Sequence, residues 1–209
     1  MTRDENSTAT AQHWDRVYRT KAVAELSWYE ADPATSTRLL LGVVPRPSSV
    51  IDVGAGASLL VDALLDAGLA DLTVLDVSET SLAPVRDRLA DRAQHVTFVV
   101  ADVLTWEPPR QWDVWHDRAV FHFLVDSEDR ATYVATAACA VASGGVAIVG
   151  CFALDGPQQC SGLPTARYDA DGVAEQFGDA FRLERVEREV HRTPSGADQP
   201  FTWVVLRSV

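Results

Sequence analysis

Cysteine is scarce in this 209-residue chain, and Cys139, Cys151 and Cys160 show no CxxC spacing. Three thiols cannot all pair, so a disulfide framework is excluded, no metal site is expected, and the pattern reads as a reduced, cytoplasmic protein. Basic charge is also in short supply. Eighteen Lys and Arg face thirty Asp and Glu, a net charge of −12. Phosphate binding needs clustered cations, so nucleic acid is not expected as a partner; a small molecule or a basic protein fits better. No apolar run approaches the roughly 18 residues of a membrane span, and residues 1–12 are too polar for a secretory signal. No internal repeat or low-complexity linker interrupts the chain. Nothing in it bears on oligomeric state.

What is present suits a single α/β domain over 1–209, with enough apolar content (47%) for a sizeable core. The polar stretch Met1–Ala11 reads as a frayed leader or an ordering arm. Trp14 and Tyr18 then share one face if their segment is helical. Pro33 opens a helix that Pro45 and Pro47 end, so 1–45 forms a helical lid before a core over 46–209. From there short apolar strands alternate with helices. Strands are expected at Val50–Val53, Leu72–Leu75, Val96–Val100, Asp113–Trp115 and Val146–Cys151. Helices are expected at Ser58–Ala67, Thr80–Ala93, Ser127–Ala142 and Ala170–Gly178. That alternation implies a parallel sheet covered on both faces. Arg182–His191 and Phe201–Arg207 flank RTPSGADQP and read as a terminal antiparallel hairpin. His191 itself reads as hairpin-tip chemistry with no catalytic role.

The strongest local signal is VIDVGAGAS at 50–58, a strand entering a tight glycine turn before a helix. Gly54 and Gly56 lack Cβ, so a ligand can approach the main chain. The next strand ends in Asp76, twenty residues after Gly56, where a carboxylate can accept both hydroxyls of a ribose. A dinucleotide fingerprint would place a third glycine where Leu59 stands, which disfavours NAD and FAD. At the end of the third strand Asp102 can accept an adenine amine while Val103 supplies an apolar face. The other reading of Asp102 is a turn cap.

Together, DVGAG at 52–56, Asp76, Ala101-Asp102-Val103 and Ser143-Gly144-Gly145 resemble the successive motifs of the class I S-adenosylmethionine-dependent methyltransferases. The resemblance covers about 49–207. It implies a Rossmann-like seven-stranded sheet, five parallel strands plus a C-terminal antiparallel hairpin, with helices on both faces. It also implies S-adenosyl-L-methionine as cofactor, bound by Gly54, Gly56, Asp76, Val77, Asp102 and Val103. Trp14-Asp15, Tyr18 and Ser27-Trp28-Tyr29 resemble the leader of a subgroup that includes protein-lysine methyltransferases. By that resemblance Trp14, Tyr18 and Trp28 contact the cofactor, and a sulfonium is attracted to aromatic faces. The same three aromatics can instead simply pin the leader to the core.

The fourth strand runs into Trp115-His116-Asp117-Arg118, on the side that faces the methyl group in the resembled family. Asp117 is expected to hold the cofactor's amino group, and His116 and His122 are the candidate bases. Arg118 clamps an acceptor carboxylate or pairs with Asp117. No Asn/Asp-Pro-Pro-Tyr signature is present, so amino groups on bases lose weight as acceptors. Cys151 and Cys160 can meet over the acceptor side and receive a thiophilic substrate, or both are buried and inert. Arg167 and Tyr168 are either acceptor contacts or packing residues. The expected activity is in-line methyl transfer to a small molecule. The alternatives are a protein-lysine methyltransferase, a nicotinamide-dependent oxidoreductase, and a non-catalytic nucleoside-binding module.

Overall fold

The computed structural model describes residues 3–43 and 45–209. Its centre is β1 (Ser49–Val53), buried at every position because strands cover it on both edges and helices on both faces. With β2 (Asp71–Asp76), β3 (Val96–Val100), β4 (Trp112–Arg118), β5 (Val141–Phe152), β8 (Phe181–Arg192) and β9 (Asp198–Ser208) it forms a seven-stranded sheet ordered β3-β2-β1-β4-β5-β9-β8. The first five are parallel; β9 runs antiparallel to β5, and β8 antiparallel to β9. Strand order reverses between β1 and β4, which opens a crevice above their carboxyl ends. Because β9 is antiparallel, its first residues meet the end of β5: Phe201 lies opposite Phe152.

Side chains alternate across the sheet, so each strand feeds two cores. Val50, Leu72, Val74, Val114 and Ile148 pack with α2 (Ala34–Leu41), α3 (Leu60–Asp66) and α4 (Glu79–Leu89). Ile51, Val53, Trp115, Ala147 and Val149 pack with α5 (Ser127–Ala140) and α6 (Ala170–Phe177). The expected doubly covered sheet with its terminal hairpin is therefore what the chain builds.

Several details differ. The polar leader is not a frayed arm: α1 runs continuously over Arg3–Thr20. Its sequence hides a stripe, Asn6, Thr10, Trp14 and Tyr18, spaced by four and so lying on one face. Asp15 docks the helix by accepting a 2.6 Å hydrogen bond from Ser78 Oγ at the start of α4. β5 begins at Val141, taking in the Ser143–Gly145 turn expected to precede it, and β4 extends to Arg118. Part of the long loop after β5 forms a small hairpin, β6 (Gln159–Cys160) with β7 (Leu163–Pro164). His191 lies within β8 rather than at the hairpin tip. Its Nε2–H donates to Ser27 O at 2.8 Å, so it fastens the leader to the sheet.

Ser78 does two jobs at one oxygen. It accepts from Ser81 N at 3.2 Å as the cap of α4 and donates to Asp15. Ser78→Ala should therefore cost about 0.5–2 kcal/mol in urea denaturation, the range for a lost cap. A midpoint equal to wild type would show that neither bond matters.

Candidate active site

The turn after β1 has Gly54 at φ +63° and Gly56 at φ +55°, the left-handed region where glycine has no Cβ penalty. Space is equally restrictive. A Cβ on Gly54 would come within 2.0 Å of Val120 Cγ2, and one on Gly56 within 2.3 Å of the Tyr18 hydroxyl. The turn is held from the neighbouring strand. Asp76 Oδ2 accepts from Gly56 N and Oδ1 from Ser78 N, each at 2.9 Å. Burial pushes the Asp76 carboxyl up to about 6, although the two amides pull the other way by favouring the charged form. Each oxygen keeps a second lone pair, so the carboxylate can still accept from a ligand.

Above the crevice lies a cavity of about 350 Å³. Its walls bring together Trp14, Tyr18, Trp28, Gly54, Asp76, Val77, Asp102 and Val103. One end lies over the ends of β2 and β3, with both acids. The aromatics pack edge to face, Trp14 with Trp28 at 5.7 Å and Tyr18 with Trp28 at 6.1 Å between ring centroids. Gly56 is not part of the lining; the Tyr18 ring stands between it and the space above. Asp102 Oδ1 accepts from Leu104 N at 2.9 Å, so it caps its turn and also reaches the cavity.

The other end lies over β4, β5 and β9. His122, Phe123, Phe152, Cys160, Leu163, Pro164, Gln199 and Phe201 line it. His122 and Phe201 are fully buried and Phe152 is 1% exposed; Cys160 of β6 and Leu163 and Pro164 of β7 belong to the same wall. His122 Nδ1 accepts from Phe152 N at 3.2 Å, which leaves the ring proton on Nε2. Burial, and the Arg118 guanidinium nearby, push this imidazole down to about 3. It is a neutral donor, not a base, which revises its expected role.

The remaining candidates fall elsewhere. His116 faces away from this cavity, with Nδ1 2.7 Å from Asp52 Oδ1 and Nε2 3.0 Å from Ser36 Oγ. It borders a smaller space of about 50 Å³ that shares Trp28, Gly54 and Arg118 with the larger one, and is not itself part of the larger one's lining. Asp117 does not line the cavity either. Its oxygens accept from Val120 N (2.8 Å), Phe121 N (3.0 Å) and Tyr133 Oη (2.5 Å), which shapes the turn beyond β4. Cys151 belongs to the core on the α5 side and Cys160 to the opposite one, so the two thiols form no pair. Among the described residues no group of three or more His, Cys, Asp or Glu could hold a metal ion. Arg167 Nη1 donates to Leu154 O at 3.0 Å and braces the loop; Tyr168 packs against Phe121 with its ring tilted by 40°. Arg118 pairs with Glu30, not with Asp117.

Residues 50–145 match the family described as the methyltransferase domain. The eEF1A lysine and N-terminal methyltransferase of Xenopus laevis is 32% identical over 94 residues, 45% of this chain and 13% of that protein. The chain thus spans under a fifth of the curated relatives it matches. Two solved structures share the fold. One concerns conversion of a disulfide bond into a thioacetal group during echinomycin biosynthesis (TM-score 0.75, 21% identity, 95% of this chain and 91% of that one). The other is the 1,6-didemethyltoxoflavin-N1-methyltransferase of Burkholderia thailandensis with 1,6-didemethyltoxoflavin and S-adenosylhomocysteine bound (TM-score 0.70, 19% identity, 98% and 86%). Residues 50–145 thus carry a methyltransferase domain, set on this sheet and glycine turn. The cavity's volume falls in the small-ligand range, and its buried acid and apolar walls suit a nucleoside.

A ribose placed on Asp76, as the sequence leads one to expect, would donate its hydroxyls most strongly to the charged carboxylate. S-adenosylhomocysteine affinity should therefore be level above about pH 6 and fall below it, by up to about tenfold per pH unit. Calorimetry across pH 4.5–8 checks this. Asp76→Asn should lose roughly 1–3 kcal/mol of binding and flatten the slope. A slope that survives in Asp76→Asn would assign the titration to another group, with Asp117, also raised to about 6, the first to examine.

Proposed function

We propose that the chain transfers the methyl group of S-adenosyl-L-methionine to a small-molecule acceptor, acting as one domain in a reducing cytoplasm. The observation that carries the acceptor class is the cavity itself, about 350 Å³ with Phe123, Phe152 and Phe201 among its walls. A space of that size with apolar walls matches a compact molecule. The sulfonium cofactor supplies an activated methyl group. The protein's own contribution is alignment and a dry site. Asp76 would hold the ribose, Asp102 and Val103 the base, and Val77 the apolar flank between them. Trp14, Tyr18 and Trp28 would set electron-rich faces near the positive sulfur. Neither His116 nor His122 is arranged as a base toward this space, so the acceptor would lose its proton without help from either.

A protein-lysine acceptor is the second reading, favoured by the likeness of 94 residues to the Xenopus laevis protein. Incubating a cell lysate with cofactor labelled in its methyl group separates the two. Label in the low-mass fraction that depends on the added protein is the expected result. Label confined to protein bands would reverse the choice.

A further inference from the structure

The end of the cavity over β4, β5 and β9 holds buried donors without a hydrogen-bond partner among the described residues. His122 is fully buried, and its Nε2 has no hydrogen-bond partner among the described residues. Arg118, beside it, is nearly as buried. Its Nη1 donates to Trp28 O at 2.9 Å and its guanidinium lies over the Phe201 ring at 5.0 Å, so the group is fixed. Its Nε and Nη2, the fork edge of a guanidinium, have no hydrogen-bond partner either. Buried donors without partners are rare, and in a cavity wall they mark where a ligand's oxygen belongs.

Charge narrows the choice further. Glu30 Oε1 lies 3.1 Å from Arg118 Nη2 in an ion pair, which balances the cation and leaves Nε as the guanidinium nitrogen with no contact of its own. His122 is uncharged at neutral pH. What is missing here is therefore hydrogen bonding and not negative charge. A carboxylate would set a second anion against Glu30, and an ammonium would bring donors to donors. The surrounding walls, Phe152 and Phe201, are flat and apolar.

Building on the methyl-transfer reading, we infer that the acceptor is a flat, uncharged molecule whose carbonyl-type oxygen takes the His122 Nε2–H and the Arg118 Nε–H. His122 then determines specificity by positioning the acceptor and takes no proton from it.

The test uses the full chain saturated with S-adenosylhomocysteine and three probes on one ring: benzamide, benzoate and benzylamine. Ring nitrogen resonances of His122 should report the Nε2–H tautomer throughout pH 5–8. Benzamide should move that proton downfield and bind about tenfold more tightly than either charged probe. His122→Phe keeps the stack on Phe152 and removes the donor. It should weaken benzamide about tenfold while leaving S-adenosylhomocysteine affinity within about twofold, which also reports that the variant is folded. Should that variant not fold, the wild-type resonance shift on adding benzamide decides alone. Tightest binding by benzylamine or benzoate, no binding by any probe, or benzamide indifferent to His122→Phe would each overturn the inference while the cofactor reading stands. Failure of wild-type protein to bind S-adenosylhomocysteine would overturn both.

Discussion

One buried carboxylate organises this molecule's working end. Asp76 sits at the carboxyl end of β2 and accepts the amides of Gly56 and Ser78, one on each oxygen. The first bond ties the glycine turn of β1 to the neighbouring strand. The second orients Ser78, which caps α4 and reaches across to Asp15 of α1. Turn, helix cap and leader are thus linked to the same acid. Burying a carboxylate is unfavourable unless its lone pairs are used, and here the backbone uses only part of them. The residual capacity points into the cavity.

From that anchor the cavity divides by chemistry. Over β2 and β3 it offers acids that accept, Asp76 and Asp102; over β4, β5 and β9 it offers donors, His122 and Arg118. The aromatic stripe of α1 and Trp28 close the middle. A sheet whose order reverses between β1 and β4 brings these distant segments to one place. The antiparallel β9 contributes because it enters the sheet beside the exit of β5, which puts Gln199 and Phe201 at the same edge as Phe152.

Much of this was legible in the chain. Strand alternation, the glycine turn and acids at strand ends are local signals, and each lies where the pattern put it. The aromatics at 14, 18 and 28 pack together in the wall of one cavity. What failed did so for tertiary reasons. The α1 stripe was masked by polar residues at 6 and 10, and the helix exists because that face docks. His116 and His122 look alike in sequence, yet the period of the strand turns one toward Asp52 while a short helical turn places the other in the cavity. Asp117 is consumed by its own turn and by Tyr133, a partner sixteen residues away. The contributions of β9 carry no local signature at all.

The most direct measurement is the crystal structure of the full chain with S-adenosylhomocysteine. The account predicts both ribose hydroxyls within hydrogen-bond distance of Asp76, about 2.7 Å, with the Gly56 and Ser78 amides still on the same carboxylate and Tyr18 against the ligand. A nucleoside bound elsewhere, or an Asp76 side chain rotated away from the sugar, would contradict it.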